Sequence, residues 1–566
     1  MPLTPGGRAR AAYAGACAAA AAALLLAYSN HFQNAFHFDD AHTVEQNLYL
    51  RDLGNLPLFF RDARTFSALP ANQSYRPVVT TTLALDHALG GLRPLPFHLD
   101  QFAVLLGTCA LLLLLFRRLL DLAGPHPRNR WLALLGASIF GLHGALGETV
   151  NYVIARSDML STLGVVLSLW IFAARRRGRR LQLHLLPAVA GVLAKEQGAM
   201  AAPILFLYAA LFEQRVALRE LLRPRVAWAA LRPVLSAFAA CGAALLLALR
   251  MAPSWSPGGA SRWQYAWTQP FVLLRYLWLF VCPTRLSADS DWRVFPSPAD
   301  LRVAVGLAGI LLLAWVAVRA SRAAPTRPAA FGIGWFFLAL APTSSLVPLA
   351  EVTNDHRLYF PFVGLSLAVA GALQAGLAWR AARGRAPMRA PLVAASLLLL
   401  LAHGVFVHHR NEVWRSEESL WRDVTQASPR NGRGWMNYGL ALMRRGDYAG
   451  AERSFEQALA LAPGYGYAHV NMGIVQAALG HPGRAEREFR AGIALQPDAP
   501  ILRYFYARWL DQVGRDGEAI PLLERVAAEA PADPRALALL ATIRSRAPPA
   551  ASGPTGPART DPPPPR

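Results

Sequence analysis

Runs of nearly twenty apolar residues recur through the first 410 residues of this chain of 566. About 20 apolar residues in a helix are enough to cross the hydrocarbon core of a membrane, which is roughly 30 Å thick. The composition agrees, because 54% of the residues are hydrophobic and only 16% are charged, against about 25% charged in soluble domains. The runs therefore predict an all-α, polytopic membrane protein over residues 1–410.

Eleven runs are predicted to span the membrane, and the arginines between them indicate the orientation. The predicted spans are residues 11–28, 101–120, 131–147, 159–174, 183–197, 199–214, 232–250, 301–319, 330–349, 359–379 and 390–408. Arginines follow every second span, as in "RRRGRR" at 175–180, and such loops stay in the cytoplasm. This rule places the N-terminus inside, and an odd number of spans places the C-terminal part outside. The same clustering accounts for the net charge of +22 without nucleic acid binding.

The loops predicted to face outward contain the acidic clusters of the membrane part. The main outer loops are residues 29–100, 148–158, 251–300 and 350–358. Asp39 and Asp40 stand side by side in the first loop. The apolar stretch 270–283 within the third loop is short for a span, and it is predicted to be an interfacial or re-entrant helix. Charged residues near membrane depth are costly and mark function by default, so the outer face is the predicted functional face.

Lys195 is the only lysine among the 57 basic residues of the chain. A lysine offers a compact ammonium group, whereas an arginine offers a planar guanidinium. A lone lysine within such a bias toward arginine indicates a position where the compact group is needed. The alternative is that Lys195 is a chance survivor of the coding bias.

A repeat with a period of 34 residues covers positions 432–531. Its units are residues 432–465, 466–499 and 500–533, with small residues at Gly439, Gly473 and Ala507 and closing prolines at Pro463, Pro497 and Pro531. This register is typical of tetratricopeptide repeats and predicts an α-solenoid domain over residues 411–546. A half repeat is predicted at 417–429, a capping helix at 534–546 and a disordered proline-rich tail at 547–566. Stacked repeats offer a concave surface for a peptide or another protein.

Motifs of the membrane part follow the order found in a known family of membrane enzymes. They are "FDD" (38–40), "YRP" (75–77), "GLRPLPFHLD" (91–100), "LHGALGETVNYVIARSDML" (142–160), "AKEQG" (194–198), "YLWLFVCPTRLSADSDW" (276–292) and "DHRLYFPFVGL" (355–365). Followed by the repeats, they resemble the transmembrane-and-tetratricopeptide-repeat protein O-mannosyltransferases and their bacterial relatives, which are GT-C class membrane glycosyltransferases. The chain departs from the family pattern at Gly144, where proline is usual, and in "DHRLYF", which replaces a Glu-Arg-Tyr-Leu-Tyr-Leu run.

The resemblance implies transfer of a sugar, mannose in the family, from a polyprenyl-phosphate carrier to Ser or Thr hydroxyls of a protein on the outer face. It also implies a carboxylate base in the first outer loop. Because neighbouring residues in an extended segment point in opposite directions, one of Asp39 and Asp40 is expected to be the base, and Asp39 is preferred. The other residue is expected to be structural or metal-contacting.

Cations are expected beside the phosphate leaving group, where negative charge develops. The predicted donor-phosphate residues are Arg76, Arg156, Lys195, His356 and Arg357, and the predicted supporting acids are Glu148, Asp158, Glu196 and Asp289. For each of them, an ion pair that only stabilises a loop is the alternative role. Oxygen ligands suit Mg²⁺ or Mn²⁺, so a divalent cation at Asp39 and Asp40 is left open.

Two other functions fit parts of the sequence. A membrane-anchored tetratricopeptide scaffold without chemistry would tolerate replacement of Asp39, Lys195 and Arg357. A transporter would show polar residues within its spans or inverted repeats, and the sequence shows neither clearly. The arginine-for-lysine bias favours a bacterial inner membrane, with the repeats on its outer side.

Overall fold

The computed structural model describes residues 5–252, 258–345, 348–386, 388–531 and 534–546. Across these residues the regular structure is helical, with 25 α-helices and no strand, which confirms the predicted all-α class. The chain divides into two compact units, Met1–Ser428 and Pro429–Arg566. The sequence-based domain boundary falls earlier, at residue 410. The predicted disordered tail, 547–566, lies outside the described residues.

The first unit contains helices α1–α18, separated by short turns of 3₁₀ and π helix. They are α1 (Pro5–Ala27), α2 (Leu56–Phe59), α3 (Pro77–Gly90), α4 (Pro94–Ala123), α5 (Asn129–Gly141), α6 (Gly147–Asn151), α7 (Arg156–Ala174), α8 (Arg176–Arg180), α9 (Leu185–Ala194), α10 (Ala201–Tyr208), α11 (Pro224–Leu231), α12 (Leu235–Met251), α13 (Arg262–Val281), α14 (Leu301–Ala320), α15 (Arg327–Leu340), α16 (Tyr359–Ala382), α17 (Arg389–Val413) and α18 (Glu417–Ala427). Prolines begin α3, α4 and α11, where an N–H would have no partner within the helix.

Seven helical segments of the described chain are long and apolar enough to cross a membrane, which makes this a membrane protein. They are Gly7–Gln33, Pro94–Ala123, Val153–Ala174, Pro224–Met251, Leu301–Ala320, Asp355–Ala382 and Ala390–Val413. The pair Asn129–Gly141 and Gly144–Asn151, bent by 47°, gives an eighth if it is counted as one broken span. The prediction of eleven spans was therefore wrong.

The other three predicted spans, at 183–197, 199–214 and 330–349, contain helices that are too short. α9 has 10 residues, α10 has 8 and α15 has 14, so at 1.5 Å per residue they reach roughly 12–21 Å. Most of their side chains are buried against other helices. Their apolar composition therefore reflects contact with protein, which a hydropathy count does not distinguish from contact with lipid.

The stretch 270–283, predicted to be an interfacial or re-entrant helix, lies largely in α13. This helix contains Pro270 and is not among the seven long apolar segments. Gly306 of α14 packs closely against it, since a Cβ on Gly306 would lie 2.5 Å from the backbone nitrogen of Phe271. The close approach holds α13 against α14.

The second unit is a stack of helix pairs that confirms the tetratricopeptide prediction. Its helices are α19 (Gly432–Arg444), α20 (Tyr448–Leu461), α21 (Gly466–Ala478), α22 (Pro482–Leu495), α23 (Pro500–Gln512), α24 (Asp516–Glu529) and α25 (Pro534–Arg546). Gly446, Gly480 and Gly514 join the two helices of each pair at φ of 85°, 80° and 76°, a conformation that glycine adopts without a steric penalty. A Cβ on Gly439 would lie 2.6 Å from Phe455, which explains the small residue at this position.

Candidate active site

Asp40 ties the loop after α1 to the start of α7. Its side chain is fully buried and accepts hydrogen bonds from the backbone N–H groups of His37 (3.1 Å), Ile154 (2.9 Å) and Val153 (3.4 Å). Burial raises the pKa of Asp40 to about 7, although these three donors act to lower it. Because Asp40 is buried and makes all of these contacts, its role is to hold the loop after α1 in place.

Asp39 has the opposite environment, since its side chain is 51% exposed. His42 Nε2 lies 3.3 Å from its Oδ1, and its backbone N–H donates to the hydroxyl oxygen of Tyr152 at 3.1 Å. Burial acts to raise the pKa of Asp39, but His42, Tyr152 and Arg76 outweigh it and hold the pKa below its ordinary value. Asp39 is therefore an ionised carboxylate that a solvent-borne hydroxyl can reach.

His42 connects Asp39 to Ser67, whose Oγ lies 2.9 Å from His42 Nδ1. Serine, histidine and aspartate in this order also form the triad of serine hydrolases. Here, however, the serine is buried at 1% exposure, and its hydroxyl also lies 3.1 Å from the carbonyl oxygen of Leu69. Of the three residues, Asp39 is the exposed one. The contacts through His42 therefore orient the Asp39 carboxylate and do not present the Ser67 hydroxyl to a substrate.

Each of the five predicted phosphate-binding residues has a carboxylate beside it. Four of these contacts are Lys195 with Asp158 (2.7 Å), Arg76 with Glu196 (3.6 Å), Arg357 with Glu351 (3.6 Å) and His356 with Glu148 (2.9 Å), and the first three are ion pairs. Glu148, Asp158 and Glu196 are three of the four acids predicted to support the cations, whereas Glu351 was not predicted.

Charged groups from distant parts of the sequence lie within electrostatic reach of His356. The groups that act on its imidazole are Lys195, Arg357, Asp39 and Arg76. They come from the loop after α1, the residue before α3, the end of α9 and the loop before α16. The fold therefore gathers residues that are more than 300 positions apart in sequence.

The ion pairs of Lys195, Arg76 and Arg357 differ in how firmly they hold the cation. Asp158 is buried, with 3% of its side chain exposed, and both of its oxygens lie within 2.8 Å of Lys195 Nζ. Burial lowers the pKa of Lys195, against the opposite effect of Asp158. The arginine pairs are longer, and their carboxylates, Glu196 and Glu351, are 39% and 35% exposed. The arginines are therefore easier to transfer to another anion than the lysine is.

Arg76 carries a donor that its surroundings leave unused. Its Nε is buried, and within the described part of the chain it makes no hydrogen bond. Its guanidinium lies over the ring of Phe66, 5.4 Å from the centroid. A buried donor without an acceptor is costly, so an incoming anionic oxygen would satisfy Arg76.

The structure does not bring Arg156 into this group. Its side chain is fully buried, and its Nη1 lies 2.5 Å from Asp86 and 3.0 Å from Asp100. Its Nη2 donates to the carbonyl oxygen of Phe97 at 2.9 Å. Arg156 thus joins α3, α4 and α7 from within the fold, and no local sequence signal distinguished this placement from one on the site surface.

Asp289, the fourth predicted supporting acid, is buried in the segment before α14. Its carbonyl oxygen accepts a hydrogen bond from Ser287 Oγ at 3.0 Å. The backbone N–H of Ser287 in turn donates to Asp355, which precedes His356. For the possible metal ion, no group of three or more His, Cys, Asp or Glu side chains among the described residues is arranged to hold one.

An aromatic cluster that the sequence did not predict supports the loop of Asp39. Phe38, at φ 50°, has its ring centroid 5.1 Å from that of Trp421 and 5.5 Å from that of Tyr152. His37 Nδ1 lies 2.9 Å from Glu417 of α18. Tyr152 lies within a motif that the sequence singled out, but the contacts to α18 join residues about 380 positions apart and leave no local signal.

Fold and site together define a class of protein. It is a helical membrane protein with a polar site of paired charges beside an accessible carboxylate, joined in one chain to a repeat solenoid. Family models described as tetratricopeptide repeat match residues 442–508, 477–543 and 415–466. The last of these matches includes α18, where the sequence predicts a half repeat.

The relatives confirm the resemblance seen in the sequence. The chain is 24% identical over 512 residues to the protein O-mannosyl-transferase Tmtc3 of Drosophila melanogaster, covering 78% of this chain and 54% of the relative. It is 25% identical over 486 residues to TMTC4 of Mus musculus (75% and 64%) and 24% identical over 504 residues to TMTC1 of Homo sapiens (80% and 55%). Both carry the same protein O-mannosyl-transferase description. The chain spans a little over half the length of these curated relatives.

Proposed function

We propose that this protein is a membrane glycosyltransferase that moves a sugar, mannose by analogy with its relatives, from a polyprenyl-phosphate carrier to hydroxyl groups of an acceptor protein. The observation that carries the proposal is the exposed, ionised Asp39 within electrostatic reach of Arg76 and His356. A carboxylate beside cations suits a reaction that removes a proton at one point and releases a phosphate at another.

Asp39 acts as the general base in this proposal. Its lowered pKa keeps it ionised at neutral pH, so it accepts the proton of the acceptor hydroxyl as the oxygen attacks the anomeric carbon. His42 and Tyr152 orient the carboxylate through their contacts with it and with the adjoining backbone. Asp40 holds the loop and takes no proton from the substrate.

Arg76 and Arg357 bind the phosphate of the donor. Both are held loosely by half-exposed carboxylates, so each can exchange its partner for a phosphate oxygen, and the unused Nε of Arg76 gains an acceptor. The leaving lipid phosphate gains negative charge as the glycosidic bond breaks, and fixed cations stabilise it. Lys195, held by Asp158, adds a third positive charge, and His356, in contact with Glu148, lies beside these cations.

The site faces the outside of the cell membrane in this proposal, because the loops rich in arginine lie at the other end of the membrane helices. The tetratricopeptide repeats bind the acceptor polypeptide in this proposal and raise the local concentration of its hydroxyls. The residues of the site that bind the phosphate would act in the same way on any sugar carried by a polyprenyl phosphate.

The proposal is tested by transfer from a radiolabelled polyprenyl-phosphate mannose to a pool of Ser/Thr-rich peptides, with the full chain purified in detergent. Asp39→Asn is expected to lower the transfer rate about 10²–10⁴-fold, as loss of a general base does. The matched control is Asp52→Asn in the same loop, because Asp52 is exposed and only accepts a hydrogen bond from Gly54. The control should transfer at the wild-type rate.

Two results would count against this function. Wild-type protein that transfers no label from mannose or from a panel of other lipid-linked sugars would favour a scaffold without chemistry. Transfer by Asp39→Asn at the wild-type rate would exclude Asp39 as the base while leaving the enzyme class standing.

A further inference from the structure

A cavity of about 1020 Å³, lined by arginines and by apolar side chains, lies at the opposite end of α7 from Asp39. We call it the arginine pocket. α7 runs over 19 residues, from Arg156 near the candidate active site to Ala174 at the pocket. At 1.5 Å per residue the helix is roughly 28 Å long, close to the thickness of a hydrocarbon core. The two sites thus lie at opposite ends of a segment that is long and apolar enough to cross a membrane.

Basic side chains dominate the rim of the arginine pocket. Its charged lining consists of Arg118, Arg175, Arg176, Arg177, Arg179 and Glu213. Glu213 forms an ion pair with Arg179, whose Nη2 lies 3.1 Å from Glu213 Oε2. Arg176 and Arg177 are exposed, and no carboxylate in the described portion of the chain forms an ion pair with either. The pocket therefore carries uncompensated positive charge.

The inner wall of the same pocket is apolar. It includes Phe172 of α7, Leu122 of α4 and Phe212 after α10. The short helix α8 folds back against α7 at Gly178, where a Cβ would lie 3.0 Å from Ile171. This turn places Arg176, Arg177 and Arg179 in the same pocket as the apolar wall.

We propose that the arginine pocket binds the phosphate head group of an anionic membrane lipid. Guanidinium groups match phosphate oxygens through paired N–H donors, and basic pockets between membrane helices suit anionic head groups. A free phosphate ion would use the arginines but leave the apolar wall bare, whereas a lipid covers both. The acyl chains of that lipid lie along Phe172 and Leu122, and its head group lies between Arg176 and Arg177.

The experiment measures binding of phosphatidylglycerol to the purified full chain by native mass spectrometry over a lipid titration. The double variant Arg176→Gln/Arg177→Gln should weaken binding about thirtyfold, since each basic residue at a lipid surface contributes about fivefold. The matched control is Arg10→Gln/Arg180→Gln, which removes the same charge from two exposed arginines outside the pocket. Its affinity for phosphatidylglycerol should equal that of wild type.

Competition with soluble glycerol phosphate and with zwitterionic phosphatidylcholine tests whether the pocket requires an anionic lipid or only a phosphate group. Neither should displace phosphatidylglycerol at an equal concentration. Displacement by glycerol phosphate would overturn the lipid assignment. Equally weakened binding in the two double variants would show that the lipid responds to the overall surface charge and not to the arginine pocket. Sugar transfer is not part of the readout, so failure here leaves the proposed function untouched.

Discussion

The two ends of α7 carry charge in different ways. At the end near Asp39, cations such as Lys195 and Arg156 are largely buried and paired with carboxylates. At the arginine pocket, Arg176 and Arg177 are exposed and have no carboxylate in an ion pair within the described chain. A buried charge depends on its partner for stability, whereas an exposed one does not. Burial and pairing, not the number of charges, therefore separate cations that support the fold from cations open to a ligand.

The largest effect is expected at Arg156, the most buried cation of the first end. Arg156→Met leaves Asp86 and Asp100 without their partner and should lower the free energy of unfolding by about 3–5 kcal/mol, as removal of one member of a buried pair does. Arg180→Met at the other end should change it by less than about 0.5 kcal/mol. Denaturation of both variants in detergent compares them. A stable Arg156→Met protein with weakened donor binding would instead make Arg156 a phosphate ligand.

The adjacent acids at the site end should separate into a structural and a functional residue. In Asp40→Asn the amide NH₂ replaces one carboxylate oxygen and faces a backbone N–H that donated to it. The loss of this hydrogen bond should lower the free energy of unfolding by about 1–3 kcal/mol. Asp39→Asn should change stability by less than about 0.5 kcal/mol, because its side chain is half-exposed. Thermal unfolding followed by tryptophan fluorescence measures both. Equal losses in the two variants would remove the distinction between them.

Arg76 should act on donor affinity, unlike any arginine of the arginine pocket. Arg76→Gln is expected to raise the KM for the lipid-linked donor about ten- to hundredfold, since a hydrogen bond to a charged group contributes about 1.5–3 kcal/mol. Arg76→Lys should recover part of this loss, because it keeps the charge and loses the planar fork. Steady-state kinetics with Arg177→Gln as control completes the test. Unchanged KM and kcat would place Arg76 away from the bound donor.

The smallest effect is a dependence of stability on pH that belongs to the site end alone. Burial raises the pKa of Asp40 from 3.8 to about 7, so its contribution is fully present below about pH 4 and is lost as the pH rises through about 7. Between pH 5 and 8 the unfolding free energy of wild type should fall more steeply than that of Asp40→Asn. Arg177→Gln should keep the wild-type slope, because arginine does not titrate in this range. Identical slopes in wild type and Asp40→Asn would mean that Asp40 stays ionised.

Periodic features of the fold could be predicted from the sequence, because a period is local information. The spacing of 34 residues identified the repeats, and the structure places Gly446, Gly480 and Gly514 at matching turns. Apolar composition was less specific, because α10 and α15 are apolar through burial in protein and not through contact with lipid. A hydropathy count responds to both causes equally, and this is why eleven spans were expected.

The sequence predicted most residues of the candidate site, but it did not predict which of them contact one another. The motifs named the residues that the fold gathers near Asp39, including Lys195 and His356. They did not separate Arg156, because only its surroundings, with Asp86 at 2.5 Å, distinguish a buried clamp from a ligand-binding cation. The partner Glu351 and the aromatic support of Phe38 depend on the tertiary fold in the same way.

The contact between His37 and Glu417 has a consequence for how the protein is made. The two residues are 380 positions apart and 2.9 Å from each other. At about 5–20 residues per second of translation, the loop of Asp39 waits roughly 20–80 s for the helix that completes its support. During that interval the early helices are already inserted while the loop has no finished shape. The support of the Asp39 loop is therefore complete only when nearly all of the first unit has been synthesised.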